Sequence, residues 1–527
     1  NILTLITSCI WFIYFLCFIM ELLYYFLLTL FIIFMRKLLL QANKNLPPSP
    51  FAIPILGHLH LFKQPLNRTL QTLSDKYGPV LFLKFGARRI LLISSLSLVE
   101  ECFTKNDIVF ANRPHTVTVG HLNYNYTTVA FAPYGDLWRN IRRITTIEIF
   151  SSKSLQMSST IRREEIHCLI KNLFQSSKRG LHHFNLKLMF SKLMFNVMMR
   201  MVAGKRCFEE CMGLDEQKRL HVHLKECFMP RQLLNMEDFL PILRWIGLYG
   251  REEKFVINLQ KMRDSFLQEM IDDYRRKNIR SSTTSIAEEM SKTTILDALL
   301  SIQEAEPEHY SDEIIKGIIL LLFAAGTDTT SLTLEWAFSL LVNNPDILHK
   351  ARSEIDNHAQ GRVLDNYDLA KLPYIHCIVN ETLRLYPPTP LLLPHVSSEE
   401  CIVGGYRIPR GTILFANIWA IHRDPKVWVE PTKFMPERFE GVQGEKELGV
   451  KFSPFGLGRR GCPGAGMAIR MLALALGTLI QCFEWERVGE EQVEMNEKNT
   501  GVTMPKAMPL VVTCKPHPKM VNALSQI

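Results

Sequence analysis

A chain of 527 residues with 47% apolar and 21% charged content has the balance of a globular protein with a sizeable core, and length alone does not decide between one large domain and several. Its net charge of +9 is spread over 61 lysines and arginines without a block of like charges, which argues against a nucleic-acid arm and leaves room for a basic face toward an acidic protein or anionic lipid. The 12 cysteines form no C-x-x-C pair and no framework spacing, so a disulfide-built scaffold is excluded and a reducing compartment fits.

From the N-terminus, residues 1–35 carry a single charge, Glu21, among Leu, Ile, Phe and Tyr. As one helix they extend about 50 Å, too long for one bilayer crossing and too short for two with a turn. A start at Met20, with residues 1–19 lying upstream of it, removes the mismatch; a native peptide from 1–19 sinks that reading. Arg36, Lys37 and Lys44 follow the apolar run and predict a cytosolic body with the N-terminus in a lumen. Residues 1–45 are therefore expected to be a single-pass membrane anchor. LPPSPFAIPILG, residues 46–57, then carries Pro47, Pro48, Pro50 and Pro54, which forbid helix and predict a stiff, extended linker.

Residues 58–527 show no internal repeat and no seam, so they are expected to form one domain. Strand character appears in VLFLKFG (80–86), RRILLIS (88–94), GYRIP (405–409) and TILFANIW (412–419). The polar run 280–292 is a surface connection, and helical periodicity covers 311–342, 346–358, 367–385 and 465–482. The sum is a mainly α (α+β) domain carrying small sheets.

Three segments stand out as chemistry. The helix over 311–342 is apolar enough to be buried all round, yet its middle reads Ala325-Gly-Thr-Asp-Thr-Thr330. A glycine there costs about 1 kcal/mol relative to alanine, and a buried aspartate costs more unless partnered. Either this is a locally kinked core helix with a solvated aspartate, or these residues serve a reaction. Further on, Glu381 and Arg384 share a helix face and can pair, a common arrangement with little specificity alone. Finally FSPFGLGRRGCPG, residues 452–464, presents Cys462 from a loop of glycines and prolines. Three readings compete for it: a buried structural thiol, a nucleophile (with no adjacent histidine base), and a thiolate ligand to haem iron. The apolar helix at 465–482 turns its positive N-terminal end to that sulfur, which would stabilise a thiolate.

Phe455, Gly458, Arg460, Cys462 and Gly464 fit F-x-x-G-x-R-x-C-x-G, a match expected by chance in on the order of one chain in ten thousand. This resembles the cysteine-ligand loop of the cytochrome P-450 family. The proline linker, Trp138-Arg-Asn-Ile-Arg142, Ala325–Thr330, E-x-x-R, Pro436-Glu-Arg-Phe439 and the cysteine loop follow in the family's order across 46–514. NLPPSPFAIPILGHLHL, APYGDLWRNIRRI and GGYRIPRGTILFANIWAIHRDP look like plant endoplasmic-reticulum members, in the group containing isoflavone 2'- and 3'-hydroxylases. That group also holds relatives that oxidise flavones and indole glucosinolates or close methylenedioxy bridges on lignans.

The resemblance implies the cytochrome P-450 fold and haem b (iron protoporphyrin IX), with Cys462 as axial ligand to the iron. Phe455, Gly464 and Ala325 would lie beside the macrocycle, and Trp138, Arg142, His395 and Arg460 would meet its propionates. The Thr329 hydroxyl is expected to break the helix ladder and open a groove for dioxygen and water, through which Asp328 feeds protons. Glu381, Arg384 and Arg438 would form a buried structural network. Tyr124, Tyr126, Phe131, Phe323, Leu391, Leu392 and Val502 suit an aromatic substrate, and about half of them are expected to line its pocket. FMPRQLL, residues 228–234, has the least family character and is the expected seat of specificity. Electrons would come from NADPH through a separate cytochrome P-450 reductase, with cytochrome b5 as a further partner, on the cytosolic side of the endoplasmic-reticulum membrane. Arg139 and Arg143 would face outward on the basic surface that meets the reductase. A haem sensor or a reductase-independent isomerase would not need an intact Asp328–Thr329 segment.

Overall fold

The computed structural model describes residue 11 and residues 14–29, 31–32, 45–180, 183–209, 212–228, 236–245, 250–281, 294–359, 361–442, 445–498 and 501–527. The apolar N-terminal run is helical over Tyr14–Thr29, with its side chains exposed; Arg36, Lys37 and Lys44 lie outside the described residues. Most of the polar run 280–292 and of FMPRQLL also lies outside them.

The proline-rich segment is part of the fold rather than a free spacer. The Pro48 carbonyl accepts the Phe82 N–H at 2.9 Å, and the His58 N–H donates to the Lys84 carbonyl at 2.6 Å. The Lys84 N–H returns a bond to His58 Nδ1 at 2.8 Å. Segment 48–58 thereby edges the first strand, with Pro48 giving the carbonyl that a proline retains and His58 supplying the N–H that it lacks.

That strand, β1 (Val80–Phe85), pairs antiparallel with β2 (Arg88–Ile93). The helices that follow are α1 (Leu96–Phe103), α2 (Val117–Leu122), α3 (Asp136–Ile144), α4 (Ser159–Lys178), α5 (Leu186–Ala203), α6 (Leu214–Phe228), α7 (Gly250–Ser281), α8 (Ile295–Ala305), α9 (Asp312–Asn343), α10 (Pro345–Ala359) and α11 (Pro373–Leu385). After β3 (His395–Val396), β4 (Cys401–Val403), β5 (Tyr406–Ile408) and β6 (Ile413–Ala416) comes the last long helix, α12 (Ala465–Cys482). The main sheet runs β1-β2-β6-β3, with β6 parallel to β2, so residues far apart in the chain share one sheet.

α9 and α12 are long and apolar enough to cross a membrane, but most of each is buried inside the protein, which makes them core helices. α9 lies against α5, α7, α11 and α12 at the centre of the largest apolar cluster. Gly326 explains one close approach: a Cβ there would sit 3.0 Å from the Met198 Sδ of α5.

Two sequence-level elements divide. The period read over 367–385 is a 3₁₀ turn, Asn366–Lys371, followed by α11, because Pro373 supplies no N–H and suits a first helical position. TILFANIW is β6 followed by a one-turn helix, Ile418–Ile421, capped by the Asn417 side chain on the Ala420 N–H.

Candidate active site

The cysteine loop is built around two glycines in the left-handed region, Gly456 (φ +75) and Gly458 (φ +63). A Cβ on Gly458 would lie 2.3 Å from Asp107 Oδ1. With that space free, Asp107 accepts the Arg459 N–H at 3.1 Å and pairs with Arg459 Nε at 3.0 Å, stapling the loop to the segment after α1. The Cys462 N–H donates to the Phe455 carbonyl at 2.8 Å, which leaves the side chain exposed just ahead of α12. Gly464 keeps that face open: a Cβ there would meet Phe150 at 3.4 Å and the Cys462 sulfur at 3.9 Å.

Arginines converge on this loop. Arg142, from α3, donates to the Gly461 carbonyl at 2.7 Å. Arg460 donates to the carbonyls of Ala111 (2.7 Å), Val129 (3.2 Å) and Ala132 (2.5 Å) and lies 4.5 Å over the ring of Trp138, whose indole N–H binds the same Val129 carbonyl at 2.9 Å. Arg113 donates to the carbonyls of Ala130, Leu393 and Pro394. Burial pushes the Arg113 guanidinium down to about 9, with Arg460 adding to the effect, and burial with Arg142 nearby pushes Arg460 down to about 10. Among the described residues no carboxylate pairs with Arg113, Arg142 or Arg460. Three buried or half-buried cations whose one opposing charge among the described residues is the Cys462 sulfur beside Arg142 are costly, and a dianionic ligand is the chemistry that balances them.

His395 differs from its expected part as a cationic contact. Burial, with Arg113 and Arg460 adding to it, pushes its pKa well below the usual histidine range, so the ring is neutral. Its Nδ1–H is committed to the Phe110 carbonyl at 2.6 Å, which leaves Nε2 as an acceptor. A carboxylate placed between these arginines would offset their contribution and raise that pKa, with the larger effect of burial still opposing it.

On α9, Ala325 is exposed and the Thr329 hydroxyl donates to its carbonyl at 2.6 Å. The helix continues unbroken through 325–330, contrary to the expected break in its ladder: the hydroxyl adds a bond to a carbonyl already in the helix instead of displacing one. Asp328 accepts from the Thr503 hydroxyl at 3.1 Å, so the tip 501–504 closes over it. Burial raises the Asp328 pKa above the usual carboxylate range, while Thr503, Lys225 and Lys187 act the other way. Since the Thr503 bond favours the charged form, Thr503→Val raises that pKa further. Because a proton donor works in its protonated form, the alkaline limb of a pH–rate profile then moves to higher pH by up to about one unit, and an unmoved limb detaches Thr503 from Asp328.

Behind the loop, Glu381 and Arg384 of α11 form a two-pronged pair at 2.6 and 2.8 Å, both wholly buried. Arg384 also donates to the carbonyls of His422 (2.5 Å), Pro431 (2.8 Å) and Lys433 (3.3 Å). Glu381 accepts the Met435 N–H at 2.9 Å and Arg438 Nε at 3.3 Å. The expected trio is thus assembled, with main-chain groups filling the remaining positions.

A small cavity of about 50 Å³ lies between α2, α6, α7 and α9, lined by Val119, Leu122, Phe131, Phe228, Leu320 and Ala324 among others. Of the aromatic and aliphatic residues expected to line a pocket, Phe131 does so. Tyr124 turns its hydroxyl to Asp264 (3.1 Å), and Tyr126 binds the Thr116 carbonyl (2.5 Å) with its ring stacked on His115. Phe323 is buried against Phe228 and Phe266; Leu392 packs beside Leu98 and Leu414, and Leu391 against the main sheet. Val502 is half-buried, outside this cavity. Arg139 and Arg143 are exposed as expected, the former paired with Asp136.

Sequence reasoning missed Arg113, Thr503 and Arg263. Arg113 had a signal: it is the one lysine, arginine, aspartate or glutamate between Asp107 and Asp136. Among the described residues no cluster of three or more His, Cys, Asp or Glu could hold a bare metal ion.

Residues 47–512 match the family model described as Cytochrome P450. The (+)-piperitol/(+)-sesamin synthase of Sesamum radiatum is 45% identical over 517 residues, covering 96% of this chain and 99% of that one. The isoflavone 3'-hydroxylase of Medicago truncatula is 44% identical over 506 residues, covering 94% and 98%. Among solved structures, a zebra fish cytochrome P450 with progesterone superposes with a TM-score of 0.71 at 26% identity, covering 86% of this chain and 100% of that one.

Proposed function

The chain belongs to the cytochrome P450 family and is a haem monooxygenase; from that premise we propose that its substrate is a flat phenolic molecule and its reaction the hydroxylation of an (iso)flavonoid. The observation that carries the site is the convergence of Arg113, Arg142 and Arg460, with no balancing carboxylate among the described residues, around an exposed Cys462. These donors fit haem: Cys462 would ligate the iron, and the arginines, with Trp138 and His395, would hold the propionates. Bound there, haem supplies a thiolate-ligated iron at which dioxygen is activated with electrons from NADPH, delivered by a reductase.

The protein's own residues then do three things. Ala325 and Gly464, which carry little or no side chain, leave room for a flat ring between α9 and the cysteine loop. Thr329 holds a hydroxyl on the open face of α9, and Asp328, its pKa raised by burial, keeps its proton to higher pH than an ordinary carboxyl and can pass it on. The walls of the cavity, from Leu122, Phe131, Phe228 and Leu320, exclude water and suit an aromatic ligand. A second reading, closure of a methylenedioxy bridge, is favoured by the likeness to the piperitol/sesamin synthase. The exposed apolar helix Tyr14–Thr29 supports anchoring in the endoplasmic-reticulum membrane. Arg139 and Arg143 offer a basic face for the reductase, with cytochrome b5 as a further donor.

Reconstitution with reductase, NADPH and a panel of isoflavones, flavones and lignans tests this. An NADPH-dependent hydroxylated isoflavone or flavone is expected; a product from lignans alone overturns the substrate class. In the same assay Thr329→Ala keeps haem, diverts electrons to hydrogen peroxide and lowers product per NADPH by on the order of tenfold or more. Unchanged coupling removes Thr329 from the mechanism.

A further inference from the structure

The cavity is mostly apolar; its polar lining is Thr118, Asn123, whose amide is engaged by the Val119 carbonyl and the Thr128 hydroxyl, and Arg263, which enters from α7. Arg263 is 2% exposed. Its Nε donates to the Cys227 carbonyl in the last turn of α6, while its Nη2 is buried with no hydrogen-bond partner. The adjacent carboxylate, Asp264, is already engaged by the Tyr124 hydroxyl at 3.1 Å and by Lys316 Nζ at 2.5 Å. Burial pushes the guanidinium down to about 10, so it remains cationic at neutral pH. Capping one carbonyl would need a single donor; Nη2 of this cation is left unpaired at the wall of the small cavity.

The position along α9 adds a direction. The Asp264–Lys316 pair sets this part of α7 beside Lys316, one turn before Leu320, whereas the cavity's other end is Ala324, next to Ala325. Along α9 the lining runs from Leu320 to Ala324, about 6 Å at 1.5 Å per residue, so Arg263 lies within one ring's reach of the residue that adjoins Ala325. We propose that Arg263 recognises an oxygen acceptor, a carbonyl or phenolate, on the substrate, and so points the opposite ring of the molecule at the reaction face of α9. This rests on the monooxygenase reading and deepens it by naming the substrate feature. A site built to hydrogen-bond a group rejects the analogue that lacks it, because its own donor is left unpaired.

The test uses the full-length haem-loaded protein and titrates the ligand-induced shift of its Soret band with matched probes: an isoflavone against the isoflavan without the ring carbonyl, a flavone against the flavan, and a phenol against its methyl ether. Wild type should bind the acceptor-bearing member roughly ten- to a hundredfold more tightly in at least one pair. Arg263→Met should erase that preference, and Arg263→Lys should restore part of it. Equal affinities in every pair, no shift with any probe, or a preference that survives Arg263→Met each overturn the proposal. Should Arg263→Met fail to fold, Arg263→Gln and the wild-type comparison still decide. The parent reading fails separately, by absence of the reduced carbon monoxide band or of any NADPH-dependent product.

Discussion

Cys462→Ser abolishes the strongly red-shifted carbon monoxide band of the reduced protein and takes turnover below detection. Serine keeps the size of the side chain, and the loop's supports are indifferent to the change: the residue 462 N–H still reaches the Phe455 carbonyl, and Arg142 still reaches the Gly461 carbonyl. What is lost is a soft, ionisable donor at the positive end of α12. The substitution therefore separates ligand chemistry from loop geometry. The measurements are the carbon monoxide difference spectrum and haem content per chain. A variant with the red-shifted band intact would overturn the ligand assignment.

Arg384→Leu should be the most damaging single change to stability. Removing it strands a wholly buried Glu381 carboxylate and unpairs the carbonyls of His422, Pro431 and Lys433. Breaking a buried pair in this way costs about 3–5 kcal/mol, a large part of the roughly 5–15 kcal/mol that holds a typical domain. The yield of soluble haem protein should collapse. Arg438→Leu should cost less, because Glu381 meets it at 3.3 Å and keeps Arg384 and the Met435 N–H as partners. Denaturant midpoints of whichever variants accumulate would check the order; an Arg384→Leu protein as stable as wild type would sink the account.

The parts legible in the sequence were those where chemistry demands fixed residue types at fixed spacing. Cys462 could be read because its loop needs glycine at φ values that other residues avoid, and these leave a spaced pattern. α9 and α12 could be read because burial on all sides leaves no polar face. The cavity walls were less readable. Tyr124, Asn125 and Tyr126 all have positive φ, so this turn sends the two tyrosine side chains toward partners that no residue pattern announces. Arg263 escaped for another reason: an arginine in a helix rich in charges looks the same in sequence whether it is solvated or buried, whereas Arg113 stood out only by its isolation from other charges. The hydroxyl of Thr503 meets Asp328 across 175 residues, a pairing made only by the folded chain.

Almost every guanidinium bond around the cysteine loop ends on a main-chain carbonyl: Ala111, Val129, Ala130, Ala132, Leu393, Pro394 and Gly461. A carbonyl is present whatever side chain its residue carries. The segments that hold the charged machinery can therefore change their side chains freely without letting go of it, and Phe131, which faces the cavity, is flanked by two of those carbonyls. Such a scaffold separates what must persist from what can drift. New substrates become reachable by small substitutions that leave the reaction centre assembled, and a library confined to the cavity-lining Thr118, Val119, Leu122 and Phe131 should yield altered selectivity more often than loss of haem.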